Sequence, residues 1–391
     1  MPIPARITEL TPQITHWRRA LHRLPELGYD LPQTTGFVAD KLRAMGCDSV
    51  TMAVGRAGIV AEIIGKGGAN HAIALRADMD ALPITEATGA PYASEMLGKM
   101  HACGHDGHTA MLLGAAQYLC ETRQFSGRAV LVFQPAEEGG AGGLAMVQDG
   151  LIPRFGISEI YALHNMPNQA AGTFAINSGA MMASADFFDI TITGRGGHAA
   201  MPQDAIDAVL IAAYLITALQ SITSRNIDPL DAAVLSVCMI DTDSRAPNVL
   251  PQEVRLSGTA RALSAPVRDA LEVRLRAVCD GVAATFGAQI IVDYQRGYPV
   301  TVNSPDQAGF AGEAAQVVTG QPTANAAPMM GAEDFSYMLN ASAQNGFGGA
   351  YMFLGNGHSA MLHHPAYDFN DAIIPAGVAW FAALIERRMP L

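Results

Sequence analysis

Apolar positions along the chain change period several times, and each change predicts an element. Apolar residues at helical spacing predict a helix over Thr11–Leu24, with basic residues on one face, and a second over Thr34–Met45. Two short apolar runs bounded by Gly and Asp, 58–64 and 72–77, predict strands. Helical spacing returns over Gly107–Thr122, and Ala129–Phe133 is continuously apolar, as in a strand covered on both faces of a parallel sheet. Strands alternating with helices give an α/β class. After Gly179 the order becomes strand 186–193, helix 204–224, strand 232–240, strand 253–263, helix 266–286 and strand 289–294. That is βαββαβ, a ferredoxin-like plan, and it predicts an inserted domain over 183–296 between segments 1–182 and 297–391 of a larger domain. A helix over Ala372–Arg388 is expected to close the fold.

Length and composition agree with this division. A chain of 391 residues exceeds what one core usually serves, and with half its residues apolar and 15% charged it is a packed protein. The net charge of -12, with no basic run, argues against nucleic acid. Five cysteines without framework spacing (Cys47, Cys103, Cys120, Cys238, Cys279) read as reduced thiols. The first ten residues lack the apolar core of a signal peptide, so a cytoplasmic protein is expected. The longest apolar tract, 205–219, is interrupted by Asp207 and is short for a bilayer, which predicts a buried helix and no membrane partner.

The chemistry concentrates in His101-Ala102-Cys103-Gly104-His105-Asp106-Gly107-His108. Ligand-type residues also end the apolar runs at Glu137-Glu138, at His164 and at His363-His364. In α/β folds such run ends carry the sites. Cys103 as thiolate, imidazoles at His105, His164 and His363, and the Glu138 carboxylate make a mixed N/O/S donor set suited to divalent transition metals. The set is larger than one tetrahedral ion needs, so two ions are expected. A pair about 3.5–4 Å apart can hold a hydroxide and polarise a carbonyl together. Neighbouring side chains leaving a strand diverge, which lets Glu138 ligate while Glu137 serves as general base and then general acid. Asp78 and Asp80 are read as partners that orient a ligand histidine from behind. His101 and His108 are expected to face solvent or start a helix, and Glu333 and Asp334 to shape a loop.

The runs around Cys103 and Glu137, together with Gly331-Ala332-Glu333-Asp334-Phe335-Ser336, resemble the hippurate hydrolase and indole-3-acetyl-amino-acid hydrolase branch of the aminoacylase/carboxypeptidase metallopeptidases over essentially the whole chain. The resemblance implies a mostly parallel catalytic sheet with a ferredoxin-like lid and dimerisation domain. It implies a homo-oligomer, dimer or tetramer, and two divalent ions per subunit (Mn, Zn, Ni or Co). It also implies amide hydrolysis of N-acyl amino acids. Cys103, His105, Glu138, His164 and His363 would be ligands, with His363 preferred over the adjacent His364, and Glu137 the base. His198 would polarise the scissile carbonyl, in cis or from a neighbouring subunit, while Asn248 and Arg261 would hold the substrate carboxylate. Two other readings are a non-catalytic metal- or ligand-binding homologue and a zinc-dependent deaminase. Against the latter, the chain lacks a Pro-Cys-x-x-Cys partner to a His-x-Glu.

Overall fold

The computed structural model describes residues 3–391. The chain divides into two compact units, the first made of Met1–Met181, Val302–Ala327 and Asp334–Leu391, the second of Met182–Thr301 and Pro328–Glu333.

In the first unit the elements follow as α1 (Ala5–Arg23), α2 (Pro32–Met45), β1 (Ser49–Val54), β2 (Gly58–Ile64), β3 (Ala72–Asp78), α3 (His105–Thr122), β4 (Arg128–Gln134), α4 (Gly142–Gln148), α5 (Leu151–Phe155), β5 (Glu159–Pro167), β6 (Phe174–Ile176), α6 (Pro305–Thr319), β7 (Ala324–Asn325), α7 (Phe335–Gln344), β8 (Gly348–Gly357) and α8 (Ile374–Arg388). The sheet order is β1-β2-β4-β3-β5-β8-β6-β7. Its centre, β4-β3-β5-β8, is parallel, flanked by antiparallel β2 on one side and β6 on the other. Every residue of β3 is buried, including Arg76 and Asp78, which is how a strand covered on both faces reads. Asp78 pairs with Gln134 at the end of β4, and His164 lies opposite Phe353 late in β5. Three parallel strands therefore deliver polar residues from their carboxyl ends to one edge of the sheet.

Helix α3 runs from this edge and is buried almost all round, with Met111, Leu112, Leu113 and Leu119 fully enclosed. It starts at His105, two residues before the sequence pattern suggests. Helix α1 likewise starts at Ala5 and continues through Pro12. Proline removes the bond to Thr8, but the turn keeps a tie because the Thr11 hydroxyl donates to the Ile7 carbonyl at 2.9 Å.

The second unit holds a four-stranded sheet ordered Ala233–Thr242, Glu253–Ala262, Asp186–Thr193, Gln289–Arg296, with every neighbouring pair antiparallel, and helices Ala208–Ser221 and Ala265–Phe286. Relative to their order in the chain the strands run 2-3-1-4, the ferredoxin-like arrangement. Ile190, Ile192, Leu215, Leu256, Leu271 and Leu275 form its core. The expected buried helix is corrected here. Its helical run extends through Asn226 to 19 residues of mean hydropathy 1.3, long and apolar enough to cross a membrane by composition, and only a third of it is buried. Ile211, Leu215 and Leu219 face the core while Val209, Leu210 and Tyr214 are exposed. An alanine-rich apolar tract has no polar face from which the sequence could tell the outer side.

Candidate metal centre

The Gly104 backbone, at φ 94°, joins the Cys103 loop to the first residue of α3. A Cβ there would collide with Asn165 Oδ1 and come within 2.7 Å of the Tyr367 hydroxyl, so the position requires glycine. Donor atoms of Cys103, His105 and His164 lie within 4.8 Å of one another, and so do those of Cys103, Glu138 and His363. Cys103 belongs to both sets, with its Sγ 3.4 Å from His164 Nε2. Oε1 of Glu138 lies 3.2 Å from His363 Nε2 and 4.0 Å from His105 Nε2. A further group joins His105, Glu137 and Glu138.

The imidazoles are oriented from behind. His105 Nδ1 donates to the Asp80 carbonyl at 2.8 Å and His164 Nδ1 to the Asn165 carbonyl at 2.7 Å. Each proton on Nδ1 leaves the Nε2 lone pair turned to the centre. His105 Nε2 is buried there without a hydrogen-bond partner. His363 stands in a left-handed conformation (φ 65°), its amide donating to the Ala102 carbonyl at 2.8 Å, which ties the C-terminal loop to the Cys103 loop. His364 does not join the cluster: its Nδ1 accepts from the Ala366 amide at 3.0 Å.

The charges describe a site short of cations. Burial, then the carboxylates of Glu138, Glu137 and Asp78, push the Cys103 thiol well above its usual range. Burial works against a charge on His105, but Asp78, Asp80 and Glu138 prevail and raise it to about 10. His164 is held neutral, well below its ordinary value, by burial and by neighbouring His108. The Glu138 carboxyl is lowered; burial opposes ionisation, while His363 and His105 favour it more. A divalent cation would relieve the enclosed negative charge and deprotonate Cys103 and His105. A thiolate, three imidazoles and a carboxylate around an unpartnered His105 Nε2 fit such ions.

The aspartates divide the support between them. Asp78 accepts from Arg76 at 2.8 Å and from His108 Nδ1 at 2.6 Å, and its Oδ2 lies 3.6 Å from His105 Nε2. Asp80 accepts instead from the backbone amides of Glu137 (2.9 Å) and Glu138 (3.1 Å), so its carboxylate holds the turn that carries both acids. Glu137 is 7% exposed. Asp106, next to His105, is gripped by Arg18 Nε at 2.9 Å and by His22 Nδ1 at 2.8 Å, anchoring α3 to α1.

One expectation needs correcting. His101 and His108 are both 1% exposed and do not face solvent. His108 does lie in the first turn of α3, where its Nε2 is 2.6 Å from Asn165 Oδ1 and Asn165 Nδ2 donates to the Tyr367 hydroxyl. His101 has neither ring nitrogen bonded, and burial pushes it down to about 3, so it stays neutral. The cysteines are free, as expected, and the sulfurs of Cys47 and Cys120 lie 3.7 Å apart. Sequence reasoning passed over Arg76, Gln134, Asn165 and Tyr367. Arg76 alone left a trace, a cation inside an apolar run.

His198, Asn248 and Arg261 lie in the second unit. His198 is exposed on a short strand paired with Val249–Leu250, and Ala199 N donates to the Asn248 carbonyl at 3.1 Å, which makes these two segments neighbours. Ala200 N donates to His198 Nδ1 at 3.0 Å, so the ring proton sits on Nε2. Arg261 is half-buried on strand Glu253–Ala262, has no ion pair among the described residues, and is lowered by burial against the pull of Asp186.

The chain is 38% identical over 386 residues to a hippurate hydrolase of Campylobacter jejuni, covering 98% of each. It is 39% identical over 372 residues to an N-acetyl-L-cysteine deacetylase of Bacillus subtilis, covering 95% of this chain and 87% of the relative. Among solved structures it matches the Bacillus subtilis YXEP protein, described as a dinuclear metal binding peptidase from M20 family, with a TM-score of 0.85 at 32% identity over 98% of this chain and 99% of the other. Residues 74–387 match the model of peptidase family M20/M25/M40. The chain is therefore a hydrolase belonging to peptidase family M20/M25/M40.

Proposed function

We propose that this protein hydrolyses the amide bond of N-acyl amino acids at a pair of divalent ions held by Cys103, His105, Glu138, His164 and His363. The observation that carries this reading is the pair of three-donor sets sharing the Cys103 sulfur, with the buried acid Glu137 beside them. Two relatives support the substrate class, since hippurate and N-acetyl-L-cysteine are both amides of acylated amino acids. When bound, such ions supply Lewis acidity toward a carbonyl oxygen and lower the pKa of water.

The protein's own part follows from its residues. Glu137 takes a proton from the attacking water and returns it to the leaving nitrogen, and its low exposure keeps bulk water from short-circuiting that transfer. Asp80 fixes the backbone from which it acts. His198, protonated on Nε2, is a donor for the oxygen that gains charge, in cis or from a second subunit of a dimer or tetramer. Arg261, half-buried and without an ion pair among the described residues, is a cation suited to the substrate carboxylate, with Asn248 beside the His198 loop. The ions are manganese, zinc, nickel or cobalt, and the setting is cytoplasmic.

The test is apoprotein loaded with each of these metals and offered N-acetyl, N-benzoyl and indole-acetyl amino acids. Release of free amino acid that is abolished by chelation and restored by metal is expected. Fully metal-loaded protein that cleaves none of them would overturn the reading.

A further inference from the structure

The turn that carries Glu137 and Glu138 has a conformation its own sequence disfavours. Between Gln134 and Gly143, Ala136 (φ 54°), Gly139 (φ 88°) and Ala141 (φ 52°) are all left-handed. Two of the three are alanines, whose Cβ makes that region costly. The turn also closes so tightly that a Cβ on Gly142 would collide with the Pro135 carbonyl. Backbone of this kind persists only where its surroundings over-determine it.

Asp80 grips the middle of the turn; Asp334 grips both ends. Oδ1 of Asp334 accepts from Gln134 Nε2 at 2.7 Å where the chain enters, and Oδ2 accepts from Gly143 N at 2.7 Å where it leaves. Arg76 reaches the same Oδ1 at 3.2 Å while also donating to Gln134 Oε1 and Asp78 Oδ2, each at 2.8 Å. Asp334 is wholly buried, and although it stands at the N-cap of α7 its side chain makes no capping bond. The carboxylate serves the turn rather than its own helix.

We propose that Asp334 is a positioning residue of the hydrolytic site, one that sets where the Glu137 and Glu138 carboxylates lie by clamping the two ends of their turn. This rests on the function proposed above. An ion held by Glu138 and a proton carried by Glu137 both depend on the turn's shape, so loss of the clamp weakens metal binding and turnover while leaving substrate recognition alone.

The experiment uses Asp334→Asn, which keeps the shape but turns an acceptor into a donor facing donors. Calorimetric titration of the apoprotein with manganese should show the affinity of the weaker ion falling about 10–100-fold, the usual effect of losing a partner behind a ligand. With saturating manganese, kcat on an N-acyl amino acid should fall at least about tenfold with KM within about threefold. Ala136→Gly removes the Cβ cost of the left-handed backbone, so in the Asp334→Asn background it should recover part of the lost kcat. Ser342→Ala, which removes a buried bond to the Gly348 carbonyl elsewhere on α7, is the control: it should lower Tm and leave kcat unchanged.

If Asp334→Asn behaves like that control, the residue only stabilises the fold and the proposal falls. A fallen kcat with no recovery from Ala136→Gly would assign the loss to the missing charge and overturn it equally, because one carboxylate oxygen of Asp334 lies within 4.8 Å of one of Glu137. Should Asp334→Asn not fold, Gln134→Met removes the grip at the entry of the turn, together with the Arg76 bond to Gln134 Oε1, leaves the grip on Gly143 in place, and is read in the same way. Wild-type protein that binds none of manganese, zinc, nickel and cobalt, or that cleaves no N-acyl amino acid with any of them, would instead refute the function itself.

Discussion

Replacing Gly104 by Ala tests whether the metal centre depends on one backbone position. The cost can be assembled from the structure. An L-residue forced to φ 94° loses about 1–2 kcal/mol. The new Cβ overlaps Asn165 Oδ1 and crowds the Tyr367 hydroxyl, both buried, and over-packing of that kind costs about 1–3 kcal/mol. Pushing Asn165 aside strains its 2.6 Å bond to Tyr367, and an orphaned buried polar group costs about 1–3 kcal/mol more. The total is roughly 3–6 kcal/mol, given that the terms overlap. For a unit of this size that corresponds to a drop in Tm of about 6–12 °C. Because Cys103 and His105 flank Gly104, relief of the clash moves two donors, and metal should be lost as well. Gly98→Ala is the matched control: φ is 78° there, with nothing within 4 Å of a Cβ, so only the backbone cost applies. Thermal melts of both variants with and without manganese, together with metal content, provide the readout. If Gly104→Ala melts with Gly98→Ala and keeps its metal, the account of Gly104 as a steric requirement is refuted.

Glu137→Gln should retain metal and lose on the order of 10²–10⁴-fold in kcat, whereas Glu138→Gln should lose metal; exchanged behaviours would reverse their assigned roles. His363→Ala should reduce metal content while His364→Ala leaves it unchanged, because only the His363 ring meets Glu138; equal losses from both would refute that distinction. The His22 cluster predicts a pH window for stability. Burial disfavours charge on His22, but Asp106 and Glu86 hold it up at about 9, against an ordinary 6.5. Its contribution is therefore complete below pH 6.5 and is lost as pH rises through about 9. Glu86, half-buried yet bonded to His22, is lowered to about 2, so its contribution is complete above pH 4.5 and is lost as pH falls through about 2. Metal-free protein should thus show a Tm plateau between these limits, and His22→Asn should flatten the alkaline decline; an unchanged decline in that variant would count against the pair.

The parts legible in the sequence are those whose cause is local. The β2 run, Gly58–Ile64, is found as expected because period and bounding residues mark a strand without reference to anything distant. The ligand types at the ends of β4 and β5 were legible because parallel strands in an α/β sheet expose their carboxyl ends together. What the pattern misses depends on partners far along the chain. Residue type alone makes His101 and His108 look like polar surface. They are enclosed because α1, β3 and β5 bring His22, Asp78 and Asn165 to the start of α3. Helix Ala208–Ser221 looks buried because alanine, leucine and isoleucine carry no mark of which side meets the sheet.

The same reasoning explains why Asp334 reads as an ordinary loop acid. Its partners Arg76 and Gln134 precede it by 258 and 200 residues, and only the sheet brings them to one place. Arg76 is the one member whose misfit is visible in advance, since an unpaired cation inside a fully buried strand would cost several kcal/mol. A charged residue interrupting an otherwise apolar parallel strand therefore predicts a buried acid from elsewhere in the chain. Here Asp78 at the end of its own strand and Asp334 at the start of α7 answer it. The first lies against His105 and the second braces the turn of Glu137 and Glu138, so the interior cation connects the supports of both halves of the centre.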